Sequence, residues 1–217
     1  MFPLKRLSIF FLLSLVLYGV LAMPWLGLQG AYRTGFCKVG NLVFGSYQFA
    51  GIGSAYFQEN PKLEGEKDVT IWMQKRRGRR VRGALDINSN LTGYRALVFF
   101  VAIVLATPIA WKRRVWALVW GMLLVNVFVT LRVWFKLYDG FSNPGPAHFF
   151  QLSESTKALL HWCTLILFHA PELNFIVPAF IWILVSFRRN DLSFLLGQTP
   201  EGELSRESRP TEKRVRG

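Results

Sequence analysis

Three side chains, Arg95, Arg132 and His161, are the residues of this sequence best suited to chemistry by type and position. Each lies within or at the mouth of an apolar stretch, where an ionisable group costs several kcal/mol unless it is paired or reaches water. Arginine grips oxyanions with a rigid planar fork, and histidine exchanges a proton near neutral pH. Arg132 and Lys136 fall one turn apart on one helical face, and Asn126 and Thr130 share a different face. A plainer reading stays open beside the catalytic one. In it Arg132 and Lys136 extend to headgroups or pair with Asp139, Asn126 bonds a neighbouring helix, and His161 is a satisfied interfacial histidine.

Other chemistries find no support. His148, His161 and His169 have no ligand spacing with Cys, Asp or one another, so no metal site is expected. Cys37 and Cys163 are the only cysteines and stand far apart, which suggests neither a disulfide framework nor zinc. No phosphate loop, nucleophile elbow or His-Glu-x-x-His helix occurs, and no cofactor is expected. Asn90-Leu91-Thr92 matches a glycosylation sequon but abuts an apolar run. A fourth feature is the cationic group Arg76, Arg77, Arg79, Arg80 and Arg82, which suits contact with anionic lipid headgroups or a partner.

The elements that must position these residues are membrane elements. The chain has 217 residues, 52% of them hydrophobic and 15% aromatic, with net charge +13 and mean hydropathy +0.27. That is too apolar for an ordinary soluble domain. Leu91–Trp111 and Val115–Leu137 are apolar runs separated by Lys112-Arg113-Arg114, each long enough to cross a hydrocarbon core of roughly 30 Å. They read as a transmembrane hairpin whose basic turn stays at one interface, flanked by Trp111 and Trp116. Lys5-Arg6 before Leu7–Leu28 reads as a retained signal anchor, with cleavage after Val20-Leu21-Ala22 as the alternative. Pro171–Phe187, closed by Arg188-Arg189, is the fourth span.

Between spans the periodicity changes. Tyr32, Phe36, Val39, Val43 and Tyr47 in Gly30–Tyr47 form the stripe of an amphipathic helix. Ala50–Gly65 reads as a loop. Val69, Ile71 and Met73, then Val81, Gly83, Leu85 and Ile87, repeat with period two about Gly78, which predicts a β-hairpin with a cationic tip. Two strands alone are marginal in water, so the hairpin must lean on the bundle or on a partner. Tyr138–Lys157 reads as a polar loop, and Ser153 or Ser155 caps a short helix through Ala158–Ala170 that Pro171 ends.

The expectation is therefore a mainly α, polytopic helical bundle of four spans with a small β-hairpin and amphipathic helices outside the membrane. Residues 1–28 form the signal anchor, 29–90 an exported loop, 91–137 spans two and three, 138–170 an outer loop with an interfacial helix, 171–189 the fourth span, and 190–217 a disordered basic tail. Positive-inside counting of Lys5, Arg6, Lys112–Arg114 and Arg188-Arg189 puts both termini in the cytoplasm of an inner-membrane protein. The expected partners are the bilayer, anionic headgroups and a membrane or envelope protein, without nucleic acid. If the topology is reversed, the cationic hairpin becomes a cytoplasmic lipid or nucleic-acid contact.

Leu91-Thr92-Gly93-Tyr94-Arg95, followed by Lys112-Arg113-Arg114, then Asn126 and Arg132, then His161, resembles the core of the exosortase/archaeosortase family of membrane transpeptidases. The resemblance covers roughly Asn90–Phe187 and implies a nucleophile motif at the start of one span with Asn, Arg and His behind it. Leu91 stands where the family has its cysteine, and leucine supplies no thiolate. Asn126 and Arg132 are also farther apart than the family pattern has them. The expected function is a non-catalytic accessory or scaffold in cell-envelope protein sorting or assembly. The alternative is an exosortase-like transpeptidase using Arg95, Arg132 and His161. A small transporter is less well supported, because no span carries a buried carboxylate and no pair of broken helices is evident.

Overall fold

The turn between the two central helices forms at Thr107-Pro108, ahead of the basic triplet. Proline pushes the residue before it out of the helical region, and Thr107 is extended at φ −69°, ψ 128°. In the computed structural model, which describes residues 4–23, 27–45, 53–60, 67–75, 81–142, 153–170 and 172–186, Lys112–Arg114 lie in the first turn of the next helix. The two arginines act as caps there. Arg114 donates to the Thr107 carbonyl at 3.0 Å, and Arg113 reaches the Ser186 carbonyl at 3.4 Å, so cations meet the carbonyl ends of two helices.

The helices are α1 (Leu4–Ala22), α2 (Leu28–Gly40), α3 (Arg95–Ala106), α4 (Trp111–Ser142), α5 (Glu154–His169) and α6 (Leu173–Ser186). A π-helical turn, Asn41–Gly45, extends α2, and another, Asn90–Tyr94, leads into α3. Among the described residues, α4 is the one helix long and apolar enough to cross a membrane. Ser8–Ala22 and Asn90–Ala106 are shorter apolar helices, and α5 and α6 meet at a bend of 82°. Of the four expected spans, one thus meets the length criterion by itself. α4 also runs through Asp139-Gly140 to Ser142, where a loop was expected. The apolar period of α4 carries the helix past those turn formers, because Leu137 is fully buried beneath the sheet.

Three of the helices share one core. Ala96, Phe100 and Val104 of α3 pack against Ala117, Val125 and Val129 of α4 and Ile181 of α6. The Phe100 ring occupies the place a side chain at Gly121 would take, so that glycine sets the closeness of α3 and α4. α1 lies on this group through Phe10, stacked on Trp182 at 5.7 Å, and Tyr18, edge-on to Phe99 and Phe175. Its outer face and those of α4, α5 and α6 expose Leu15, Trp116, Leu159, Trp162 and Phe180, each more than half accessible. Apolar exposure on that scale needs a nonaqueous surrounding or a partner.

The expected hairpin is present as β2 (Val69–Lys75) and β3 (Val81–Ile87), antiparallel, with a bulge between Met73 and Gln74. It is extended by a third strand. β1 (Gly53–Glu59), inside the stretch expected to be a loop, pairs antiparallel with β2 from Gly53↔Lys75 to Glu59↔Val69. Its alternation was legible, since Ala55 and Phe57 are buried while Tyr56 is 58% exposed, but glycines at its start masked it. The sheet leans on the bundle: Phe57, Ile71, Met73 and Ile87 pack with Cys37, Phe44, Val133 and Leu137. Asn41 locks the seam by accepting from the Phe57 amide at 2.6 Å and donating to the Phe57 carbonyl at 2.9 Å.

This seam also rotates the expected α2 stripe. Val39 and Val43 are exposed, whereas Cys37, Gly40 and Phe44 are buried, because Gly40 admits the Phe57 ring against its backbone and the π-helical turn changes the helical phase from Asn41 onward. Ser153 caps α5 as expected, accepting from the Thr156 amide at 3.3 Å. Arg76, Arg77, Arg79 and Arg80 lie outside the described residues, as do Tyr47, His148 and the tail from 187 onward; of Arg82 only the backbone is described.

Two measurements test this seam. Asn41→Ala leaves two buried backbone groups unpaired at about 1–3 kcal/mol each, so amide exchange across β1 is expected to accelerate while that of α3 does not. Burial raises the Cys37 thiol from 9.0 to about 11, with Glu59 and Asp68 adding to the rise and Arg33 opposing it. The folded state therefore holds this proton more tightly than the unfolded chain. Its contribution is complete below the ordinary thiol pKa and is lost as pH rises through about 11. In detergent, the melting temperature of Cys37→Ser is expected to fall less than that of the parent across that window.

Candidate functional site

Arg132 lies on α4 at the end of the bundle that carries the sheet, and it is 2% exposed. Its position follows from the helical period. Val125, Val129 and Arg132 fall on the inward face of α4, and Val133 and Leu137 turn toward the sheet. No stem long enough to extend to a headgroup is left over, because the guanidinium is tied inward. Nη1 donates to the Thr92 carbonyl at 3.0 Å and to Asn174 Oδ1 at 2.6 Å. The guanidinium carbon sits 5.1 Å from the Phe168 ring centre and 5.6 Å from that of Phe128.

Each partner arrives from a different element. The π-helical turn at Asn90–Tyr94 contributes the Thr92 carbonyl, a widened turn being one place where a carbonyl is free to accept outside the helical ladder. Asn174 stands in the first turn of α6, buried, just after the Pro171 break. Phe168 comes from the last turn of α5 and also receives Lys136, whose ammonium lies 5.4 Å from the ring centre. One phenyl ring thus faces two cations, an attraction worth about 0.5–2 kcal/mol for each. The close contacts of the two cations are thus with rings and, for Arg132, with two oxygens. Arg132 Nε is buried without a hydrogen-bond partner among the described residues.

α2 closes the site from the sheet side. Tyr32 Oη rests against the backbone of Gly93, where a Cβ would collide with it. The Tyr32 and Tyr94 rings are 5.5 Å apart, and Tyr94 donates to the Leu21 carbonyl at 2.6 Å. Burial holds the Tyr32 phenol well above its ordinary range; the Arg132 charge opposes this and Asp68 adds to it. Asp68 accepts from the Ser89 amide at 2.7 Å and from its hydroxyl at 2.5 Å, fixing the end of β3 just ahead of the turn. An apolar cavity of about 200 Å³ lies beside Tyr32, between α2 and α4.

Of Arg95, Arg132 and His161, Arg132 alone occupies this centre, and Lys136 meets it through the Phe168 ring. Arg95 is exposed and donates to Asn90 Oδ1 at 3.3 Å, and His161 is exposed on α5. The contacts of Arg132 reach neither of them. Asn126 bonds its own helix, at the Met122 carbonyl, rather than a neighbour, and Thr130 bonds the Asn126 carbonyl. Sequence reasoning named Tyr32 only as part of the α2 stripe and Gly93 only within the Leu91–Arg95 motif, and it missed Phe168 and Asn174. Asn174 was recoverable, as a lone amide in an apolar helix next to a proline; Phe168 carries no local signal. Among the described residues no group of three or more His, Cys, Asp or Glu could hold a metal ion. The arrangement as it stands binds a carbonyl and an amide.

Arg132→Met keeps the stem and leaves Asn174 Oδ1 and the Thr92 carbonyl unpaired, a loss of about 1–3 kcal/mol per group. A double substitution Arg132→Met, Asn174→Leu is expected to recover part of the melting temperature lost by the first change. Gly93→Ala overpacks against Tyr32, at about 1–3 kcal/mol. Tyr32→Phe removes the colliding atom and is expected to be sub-additive with it; additive melting shifts would contradict the contact. No protein-family model, curated protein or solved structure matches this chain.

Proposed function

We propose that this chain is a multi-pass inner-membrane protein with cytoplasmic termini. It acts as a non-catalytic accessory or scaffold in cell-envelope protein sorting or assembly. The observation that carries the reading is the use made of Arg132: its two hydrogen bonds go to a backbone carbonyl and an amide, which join α4 to α6 and to the turn before α3. Such a contact organises a platform. On that platform the sheet is held by Asn41 and by Val133 and Leu137, and the residues that would meet a partner surface or anionic headgroups are Arg76, Arg77, Arg79, Arg80 and Arg82, which follow β2 in the sequence. The basic residues Lys5, Arg6, Lys112–Arg114 and Arg188-Arg189 support the orientation.

A second reading, an exosortase-like transpeptidase, draws on one contact. The Thr92 carbonyl, inside the stretch that resembles the family's nucleophile motif, touches Arg132. Its expected signature is loss of peptide transfer in Arg95→Ala, Arg132→Ala and His161→Ala alike, and full activity in all three ends it. The scaffold reading is tested by capture from membranes in mild detergent. The full chain is expected to retain one envelope protein, and replacing the five hairpin arginines with Gln is expected to lower its recovery about tenfold. Recovery of no protein by the full chain overturns the reading.

A further inference from the structure

We propose that the outward face of α4 is a self-association surface, on which α4 of a second copy of this chain docks in parallel about Asn126. The face carries a groove of about 700 Å³ between α4 and the π-helical turn after α2, with Phe44 on one side and Leu123, Val127 and Leu131 on the other. Its polar members are Asn126 and Thr130. Both have turned to their own helix for part of their bonding: Asn126 Nδ2 donates to the Met122 carbonyl at 2.8 Å, and Thr130 Oγ1 donates to the Asn126 carbonyl at 2.8 Å. Asn126 Oδ1 accepts no hydrogen bond from the described residues. An exposed amide acceptor midway along the one helix that meets the membrane-spanning criterion needs a donor that hydrocarbon cannot offer.

A second copy supplies that donor. Identical chains insert with one topology, so their α4 helices run parallel and Asn126 faces Asn126 at one depth. A primary amide is both donor and acceptor. Two of them related by a two-fold axis therefore satisfy each other, the isologous arrangement that closes a dimer. The flanking residues fit the same geometry. Leu123, Val127 and Thr130 recur at steps of four and three, which keeps one seam in contact over successive turns at a shallow left-handed crossing. A single polar pair at such a seam also sets the register. An acyl chain would fill the groove but leave the amide oxygen without a donor. This inference rests on membrane residence and is independent of the scaffold reading, since a self-dimer needs no envelope partner.

The test uses the full-length chain in its own membranes. Val127→Cys is placed in a Cys37→Ser, Cys163→Ser background and oxidised, with Trp162→Cys, exposed on α5, as the comparison position. A disulfide-linked dimer of twice the chain mass is expected from position 127 and not from 162. Adding Asn126→Leu is expected to lower the linked fraction about tenfold, in line with the strength of an interhelical polar pair, and Asn126→Gln to retain most of it. A position-127 product of any other mass would make this face heterologous and overturn self-association. So would equal linking from both positions, an unchanged fraction in Asn126→Leu, or a monomeric mass by light scattering for the folded parent in mild detergent.

Discussion

A guanidinium buried at one end of an apolar bundle, with no ion pair to a carboxylate among the described residues, is the constraint on which the rest of this structure depends. Taking the charge out of water is tolerable only if its protons meet acceptors and its faces meet polarisable groups. Here the acceptors come from α6 and from the turn before α3, and the rings from α4 itself and α5. Four elements therefore have to be in place at once before Arg132 has these contacts. That coupling makes the site an organiser of tertiary structure, whatever else it does.

The small sheet follows from the same end of the bundle. Three strands cannot bury their inner face by themselves, and α4 continues beyond Arg132 to offer Val133 and Leu137 as a floor. α2 then serves both parts. Its Tyr32 closes over the arginine centre by way of Gly93, and its continuation through Asn41 and Phe44 holds β1. The sheet is thus fixed in position relative to the arginine by α2 as well as by α4.

The opposite end is organised by simpler electrostatics. Arg113 and Arg114 reach the carbonyl ends of α6 and α3, and Trp182 donates to Thr107 at 2.8 Å beside them. A cluster that in the sequence resembles an interfacial turn is therefore also a pair of helix caps. Basic residues next to a membrane interface often have room for both roles, because their stems lie along apolar surface while the charged head turns to whichever acceptor is near.

What the sequence determined by itself was everything that depends on local period and local breakers: apolar helices, the two strands β2 and β3, the Ser153 cap and the separation of α5 from α6. Those features arise from residues within a few positions of one another, so they are written in order along the chain. Four readings failed where a distant group overrode the local one. β1 is a strand because β2 lends it hydrogen bonds, the α2 stripe turns because Phe57 needs Gly40, α4 passes through Asp139-Gly140 because Leu137 is buried under the sheet, and the central turn forms at Pro108 while the arginines go on to cap helices. The arginine centre was half legible. An arginine within an apolar run announces that it needs partners, but only the tertiary structure decided that these are Thr92, Asn174 and Phe168, separated from it by tens of residues, and that Arg95 and His161 stay outside. Partner choice depends on where helices cross, and crossing is set by side-chain packing that no single segment contains.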